Sequence, residues 1–323
     1  MTIIAMSASS AAAAQAPTAA PASLACNSDT VHIATPAGLI AGSVRCPSMP
    51  APWPVVLLIS GSGPTDRNGN SAMLPGENNA LRMIAEALAA RGIASVRYDK
   101  RGIGASRSAM GSEADLRFEM YADDAATWAQ QLRADPRFST VTIAGHSEGS
   151  LLGMLATQRA KADGYVSIAG VGRPADQVLH DQLAAGAPAA LAAEADRAMA
   201  LLVAGKTADS VSPALAALFR PSVQPYLISW FRYDPSAELR KLGVPVLIAQ
   251  GTTDIQVAVA DARLLAAADA KATLLIVDGM NHVLKLVPAD QAAQVRSYSD
   301  PALPVAPQLI DAIATFVKGV RRR

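Results

Sequence analysis

Ser139-Thr140-Val141-Thr142-Ile143-Ala144-Gly145-His146-Ser147-Glu148-Gly149 is the stretch that decides how this chain folds. Its first six residues form a β-branched run of strand type. Gly145 to Gly149 then spell G-x-S-x-G, and the helix-compatible run Leu151 to Ala160 follows. Strand, tight turn and helix with a serine at the apex make a nucleophile elbow. The turn strains the serine backbone and lifts its hydroxyl clear of the sheet. Glycine is needed on both sides because a Cβ there would collide with the neighbouring strand and helix. Five residues of this kind arise by chance, so the strand before them and the helix after them carry the inference.

A serine elbow predicts an acid and then a histidine further along the chain. Of the four histidines, His32, His146, His180 and His282, only the last two follow Ser147. His180 sits in Asp176 to Asp181, a helix-like region with no strand before it, and reads as a surface or lid histidine. His282 ends Leu274-Leu275-Ile276-Val277-Asp278-Gly279-Met280-Asn281-His282, a buried-type strand running into a loop, where a catalytic base belongs. His32 lies on an early alternating strand and reads as structural. His146 adjoins the serine, points away from its hydroxyl and reads as packing. For the acid, Val244 to Gln250 is a buried-type strand and Gly251-Thr252-Thr253-Asp254 follows it. Asp254 would accept the His282 Nδ1 proton, fix the tautomer and stabilise the imidazolium. Asp278, close to His282 and also ending a strand, is the rival.

The oxyanion hole needs two N–H donors. One is the residue after the nucleophile, Glu148. The other is expected after an early core strand, here Val55 to Ile59 followed by Ser60-Gly61-Ser62-Gly63-Pro64, which puts the Ser62 N–H in that position. Small residues there let the backbone approach the substrate. The Glu148 side chain invites a partner as well. Arg67 or Lys100, on the two loops expected to flank the site, would serve, with a merely solvated glutamate as the alternative.

Taken together, these residues resemble an α/β-hydrolase from about Val55 to the C-terminal helix. A further marker is Tyr98-Asp99-Lys100-Arg101-Gly102-Ile103-Gly104-Ala105-Ser106, similar to the D-x-R-G-x-G-x-S loop of that superfamily. Gly61 to Asn70 (Gly-Ser-Gly-Pro-Thr-Asp-Arg-Asn-Gly-Asn) with Gly-His-Ser-Glu-Gly resembles a group of bacterial esterases within it. That resemblance implies cleavage of short-chain acyl esters, with serine aminopeptidases as neighbours. The chain departs from the common His-Gly oxyanion pattern, since Ser60 stands where the histidine would be.

The rest of the chain fits the α/β class. Buried-type runs at Ile93 to Tyr98, Val141 to Ala144, Tyr165 to Ala169, Val244 to Gln250 and Thr273 to Val277 alternate with helix-length segments. These segments are Asn79 to Ala90, Leu116 to Ala134, Leu151 to Ala160 and Val259 to Ala268, with a last helix at Pro307 to Val320. Near-continuous apolar strands predict a parallel sheet covered on both faces. Between residues 173 and 235 the alternation stops. That Ala-rich, proline-broken stretch reads as a helical cap inserted into a core of residues 26–172 and 236–323. Phe219, Tyr226, Trp230, Phe231 and Tyr233 crowd its second half, either as packing of the cap or as an apolar wall of the acyl pocket.

Composition narrows the classes. A formal net charge of +1 argues against nucleic acid as partner, and Arg321 to Arg323 instead complement a helix C-terminus. The chain has no His/Cys/Asp cluster at ligand spacing, no P-loop and no G-x-G-x-x-G, so no metal or cofactor is expected. Beyond residues 1–25, no stretch is long and charge-free enough to span a membrane. Residues 1–25 are rich in Ala and Ser, carry no charge and resemble the end of a secretory signal, with A-x-A sites at Ala12 to Ala14 and Ala14 to Ala16. The two cysteines, Cys26 and Cys46, are nearly equidistant from a turn at Pro36-Ala37-Gly38 between two strand-like runs. Pairing across that hairpin would suit an oxidising periplasm, with two unrelated thiols and a cytoplasmic protein as the alternative. Three functions follow for a small-molecule acyl substrate. The foremost is a serine carboxylesterase using Ser147, His282 and Asp254. A peptidase or amidase on the same triad is second, and a non-catalytic ligand receptor on the same fold is third.

Overall fold

In the strand Trp53–Ile59 of the computed structural model, Val55, Leu57 and Ile59 face one side of the sheet and Val56 and Leu58 the other, and all five are buried. Such a strand can sit only in the middle of a sheet covered on both faces. The structure describes residues 24–323, so the A-x-A sites and nearly all of the expected leader lie outside it. Eight strands follow in chain order: β1 (Ser28–Thr35), β2 (Gly38–Arg45), β3 (Trp53–Ile59), β4 (Ala94–Tyr98), β5 (Phe138–His146), β6 (Gly164–Ile168), β7 (Val246–Gly251) and β8 (Thr273–Val277). They form one sheet in the order β1-β2-β4-β3-β5-β6-β7-β8. From β4 to β8 every pairing is parallel, while the β1–β2 hairpin joins through antiparallel contacts.

Helices cover both faces. On one side lie α1 (Ala80–Ala90) and the last helix, α11 (Pro307–Gly319). Leu81, Ile84, Ala85 and Leu88 of α1 recur at helical spacing and are all buried, which is what holds α1 to the sheet. Arg91 and Gly92 close that helix, and Gly92 takes a φ of +78° that favours glycine. On the other side lie α2 (Phe118–Ala134) and α3 (Glu148–Ala160). Trp128 of α2 is wholly buried and stacks on Tyr98 of β4, with ring centroids 5.9 Å apart.

Between β6 and β7 the chain leaves the sheet and forms α4 (Ala175–Gly186), α5 (Ala189–Val203), α6 (Ala216–Phe219), α7 (Gln224–Trp230) and α8 (Pro235–Arg240). The aromatics of this insertion pack onto α2. Phe118 stacks on Trp230 at 5.7 Å and lies 5.6 Å from Tyr233, and Tyr121 meets Tyr226 edge-on at 5.7 Å. α9 (Val259–Ala268) and the short α10 (Gln291–Ser297) complete the order. Cys26 and Cys46 are joined by a disulfide at the base of the β1–β2 hairpin, with their Cα atoms 5.5 Å apart. No helix among the described residues is long and apolar enough to cross a membrane.

Candidate active site

Ser147 is the residue between β5 and α3, and its backbone is strained at φ 56°, ψ −122°. A non-glycine residue held in such a region costs on the order of 1–3 kcal/mol and persists only where its surroundings fix it. Here they do so. The Ser147 N–H donates to the Ile168 carbonyl at 2.9 Å, and its own carbonyl accepts from Ser150 at 2.9 Å. The flanking glycines are sterically required. A Cβ on Gly145 would sit 1.9 Å from the Gly149 oxygen, and one on Gly149 would lie 2.6 Å from the Ile59 oxygen. No side chain fits at either position.

The two partners expected from the sequence come from the two last strands of the sheet, which run parallel to β5. Asp254 follows β7 and His282 follows β8, so both stand with Ser147 at the carboxyl edge of the sheet. His282 Nδ1 lies 2.9 Å from Asp254 Oδ2, and both side chains are buried. Gln250 Nε2 donates to the same Oδ2 at 3.0 Å, and the backbone N–H groups of Gln256 and Val257 donate to Oδ1. Burial alone would raise the Asp254 carboxyl. The nearby His282, its hydrogen bond and the two backbone N–H groups outweigh that and hold it below the usual carboxylate range. Asp278 is elsewhere: its carboxylate accepts from the Thr252 hydroxyl at 2.9 Å. The Ser147 hydroxyl makes no capping bond to its own helix.

His146 does more than pack. Its Nε2 lies 2.8 Å from the His282 carbonyl oxygen, and the two rings are 4.8 Å apart. The residue before Ser147 thus ties the elbow to the loop that carries His282. Burial, then the adjacent His282, push the His146 ring down to about 3, so it stays neutral and can donate. His180 sits on the exposed face of the insertion against Asp196 at 2.6 Å, and His32 is exposed on β1.

The Ser60 to Pro64 loop passes directly over the elbow. A Cβ on Gly61 would lie 3.2 Å from Ser147 Cβ. Among the described residues neither the Ser62 N–H nor the Glu148 N–H donates to another backbone group. Of the two partners expected for the Glu148 carboxylate, the structure has Lys100, whose Nζ is 2.7 Å from Oε2, both side chains being buried. Arg67 instead grips Asp99 at 2.7 Å. Tyr226 of α7 donates to the other Glu148 oxygen, which brings the insertion to the elbow. Sequence reading placed Tyr226 only among the aromatics of the insertion, without its bond to Glu148, and missed Gln250. The only signal for Gln250 was an amide closing an apolar strand four residues before the acid. No group of three or more His, Cys, Asp or Glu capable of holding a metal occurs among the described residues.

Comparison with known proteins agrees with this fold. The profile of the family described as serine aminopeptidase, S33, matches residues 77–216, which include the elbow but neither Asp254 nor His282. Esterase EstD of Thermotoga maritima is 28% identical over 248 residues, 75% of this chain and 57% of its own length. The chain therefore spans little more than half of that curated relative. Among solved structures, Est1E from Butyrivibrio proteoclasticus superposes with a TM-score of 0.57 at 15% identity, over 90% of this chain and 96% of that one, in its ferulic acid complex. A thermophilic esterase from Thermogutta terrifontis gives 0.54 at 16% identity, over 90% and 98%. The sheet order, the elbow and these superpositions make the chain, by fold, an α/β-hydrolase.

Proposed function

We propose that the protein is a serine carboxylesterase acting on short-chain or small acyl esters, with Ser147 as nucleophile, His282 as base and Asp254 as its orienting acid. The observation that carries this reading is the strained Ser147 backbone at the same sheet edge as the buried Asp254–His282 pair. Ser147 Oγ attacks the ester carbonyl while His282 Nε2 takes its proton. The Ser62 and Glu148 N–H groups receive the oxyanion, and such donors are worth about 10²–10³ in rate each. The tetrahedral intermediate then expels the alcohol, which takes the proton from His282. Water, deprotonated by His282, attacks the acyl-enzyme and releases the acid and the free serine. The likeness to EstD supports ester bonds as the substrate.

A second reading, peptide or amide hydrolysis on the same triad, is favoured by the family description over residues 77–216. Residues 173–235 serve in this reading as a cap on the α/β-hydrolase core of residues 26–172 and 236–323. Their Tyr226 reaches Glu148 beside the nucleophile. The Cys26–Cys46 disulfide supports an extracytoplasmic site of action, periplasmic or secreted.

The test is hydrolysis of p-nitrophenyl esters from acetate to long chain, beside aminoacyl p-nitroanilides, by wild type and Ser147→Ala. Short-chain ester turnover that disappears in the variant is expected. Turnover unchanged in Ser147→Ala would remove the nucleophile assignment, and cleavage of the anilides alone would move the protein to the peptidase reading.

A further inference from the structure

Lys100 is a lysine with almost no contact with water, 1% exposed, and it serves two masters. Its Nζ donates to Glu148 Oε2 at 2.7 Å and to the Gly61 carbonyl oxygen at 2.6 Å. The Tyr121 ring lies 5.0 Å from the same nitrogen. Burying an ammonium is costly unless it is paired, and Glu148 supplies the pair. The bond to Gly61 is the informative one. The Gly61 carbonyl and the Ser62 N–H belong to a single peptide unit, and among the described residues only Ala51–Pro52 is cis. In a planar trans peptide the C=O and the N–H point in opposite directions. A cation that fixes the carbonyl therefore fixes where the N–H points.

We propose that Lys100 positions the oxyanion hole: it clamps the Gly61–Ser62 peptide so that the Ser62 N–H faces the reacting carbonyl, and Glu148 holds Lys100 in place. This rests on the reading of Ser147 as nucleophile and of the Ser62 N–H as a donor. Ser60 has only a short hydroxyl side chain, which bonds to the Thr65 carbonyl, and Lys100 supplies the brace to the Gly61 carbonyl from the loop of the neighbouring strand. An ammonium on the carbonyl also polarises the amide, and linked hydrogen bonds strengthen one another, so the N–H becomes a better donor. Glu148 thus joins both halves of the hole, offering its own N–H and its carboxylate. Tyr226 closes the network from the insertion by donating to the second Glu148 oxygen. Lys100 acts through the peptide and touches no substrate.

The experiment compares wild type, Lys100→Met and the double variant Lys100→Met/Glu148→Gln. The double variant leaves no unpaired buried carboxylate, so it guards against a fold lost to an orphaned charge. Wild type is first assayed on p-nitrophenyl acetate beside Ser147→Ala. If wild type is inert, the esterase reading falls and takes this role with it. If wild type is active, folded double variant is expected to keep KM within about twofold, as befits an interaction made only in the transition state. Its kcat is expected to fall by about 10²-fold, the worth of one misplaced oxyanion donor. Affinity for an aryl trifluoromethyl ketone, whose hemiketal oxyanion occupies the hole, should fall in step. A folded double variant with wild-type kcat would overturn the proposal while leaving the esterase reading standing. So would a fall in kcat with ketone affinity unchanged, which would mark Lys100 as structural only.

Discussion

Replacing Asp254 by asparagine should cripple turnover without unfolding the protein, and the hydrogen bonds around that carboxylate say why. Oδ1 accepts from the Gln256 and Val257 N–H groups, so the asparagine carbonyl must take that place. Its NH₂ is then turned toward His282 Nδ1, 2.9 Å from the native Oδ2, and toward Gln250 Nε2, itself a donor 3.0 Å away. Two donors oppose each other on one side. On the other side, Nδ1 is forced to accept, which puts the imidazole proton on Nε2. A protonated Nε2 cannot take the Ser147 proton. Loss of the correct tautomer in such a triad costs about 10⁴ in kcat, or about 5 kcal/mol of transition-state stabilisation. The assay is steady-state hydrolysis of p-nitrophenyl acetate, with folding followed by circular dichroism. Asp278→Asn is the internal control: its carboxylate meets only the Thr252 hydroxyl side of the loop, and its kcat should stay near wild type. If folded Asp254→Asn kept kcat within about tenfold of wild type, or if Asp278→Asn were the damaging change, the tautomer argument would be wrong.

Acid should destabilise the protein through His146. Its ring titrates near 3 when folded and near 6.5 otherwise, so between those values the unfolded chain binds the extra proton and stability falls as pH drops below about 6.5. The loss from pH 8 to pH 5 is at most about 2 kcal/mol, because pH 5 lies only about 1.5 units below the unfolded value, and the partial exposure of the side chain lowers it further. His146→Gln, still able to donate to the His282 carbonyl, should flatten the slope of melting temperature against pH, and superimposable slopes would dismiss the assignment. Gly149→Ala would press a methyl to 2.6 Å from the Ile59 oxygen and 2.7 Å from the Ser60 oxygen, both backbone atoms that cannot move aside. It should cost about 1–3 kcal/mol or more of stability and most of the activity, and an unchanged thermal melt would show that the elbow is looser than described.

Elements whose signal is local were legible in the sequence. Val259–Ala268 falls where periodicity puts it, because its apolar face packs on the sheet. Thr273–Val277 also falls where its apolar run puts it, but as the edge strand rather than a buried one: parallel pairing with β7 holds it, and Leu274 is exposed. Strand β5 runs further than the run Val141 to Ala144 suggested, from Phe138 to His146, since parallel pairing with β3 and β6 extends it through the glycine. That Ser147, Asp254 and His282 stand at one edge of the sheet was legible because each follows an apolar strand. What joins distant segments was not. Tyr226 meets Glu148 across 78 residues, and His146 meets the His282 carbonyl across 136. A histidine beside the serine reads as packing until the last strand brings its partner. The crowded aromatics of the insertion stood open between packing and pocket wall. Phe118 and Tyr121 of α2 receive Tyr226, Trp230 and Tyr233, which makes packing their evident use.

The loop after β4 explains why so much charge is buried at this edge of the sheet. Asp99, Lys100 and Arg101 are consecutive and all buried. Each reaches a different element: Asp99 takes Arg67 of the loop after β3, Lys100 takes Glu148 of the elbow, and Arg101 takes Asp124 of α2 in a two-pronged pair at 2.6 and 2.7 Å. As a source of stability this is poor, because desolvating an ion pair commonly costs as much as the pair returns, and apolar groups of similar volume do as well or better. Apolar groups, however, hold a loop without direction. A carboxylate and an ammonium fix an angle as well as a distance. Three such pairs radiating from one short loop pin the loop after β3, helix α3 and α2 to a common point. A chain with those charges exchanged for well-packed apolar residues should therefore melt no lower, and in some cases higher, while its ester turnover falls. That opposition of stability and activity is what a charge cluster kept for position predicts.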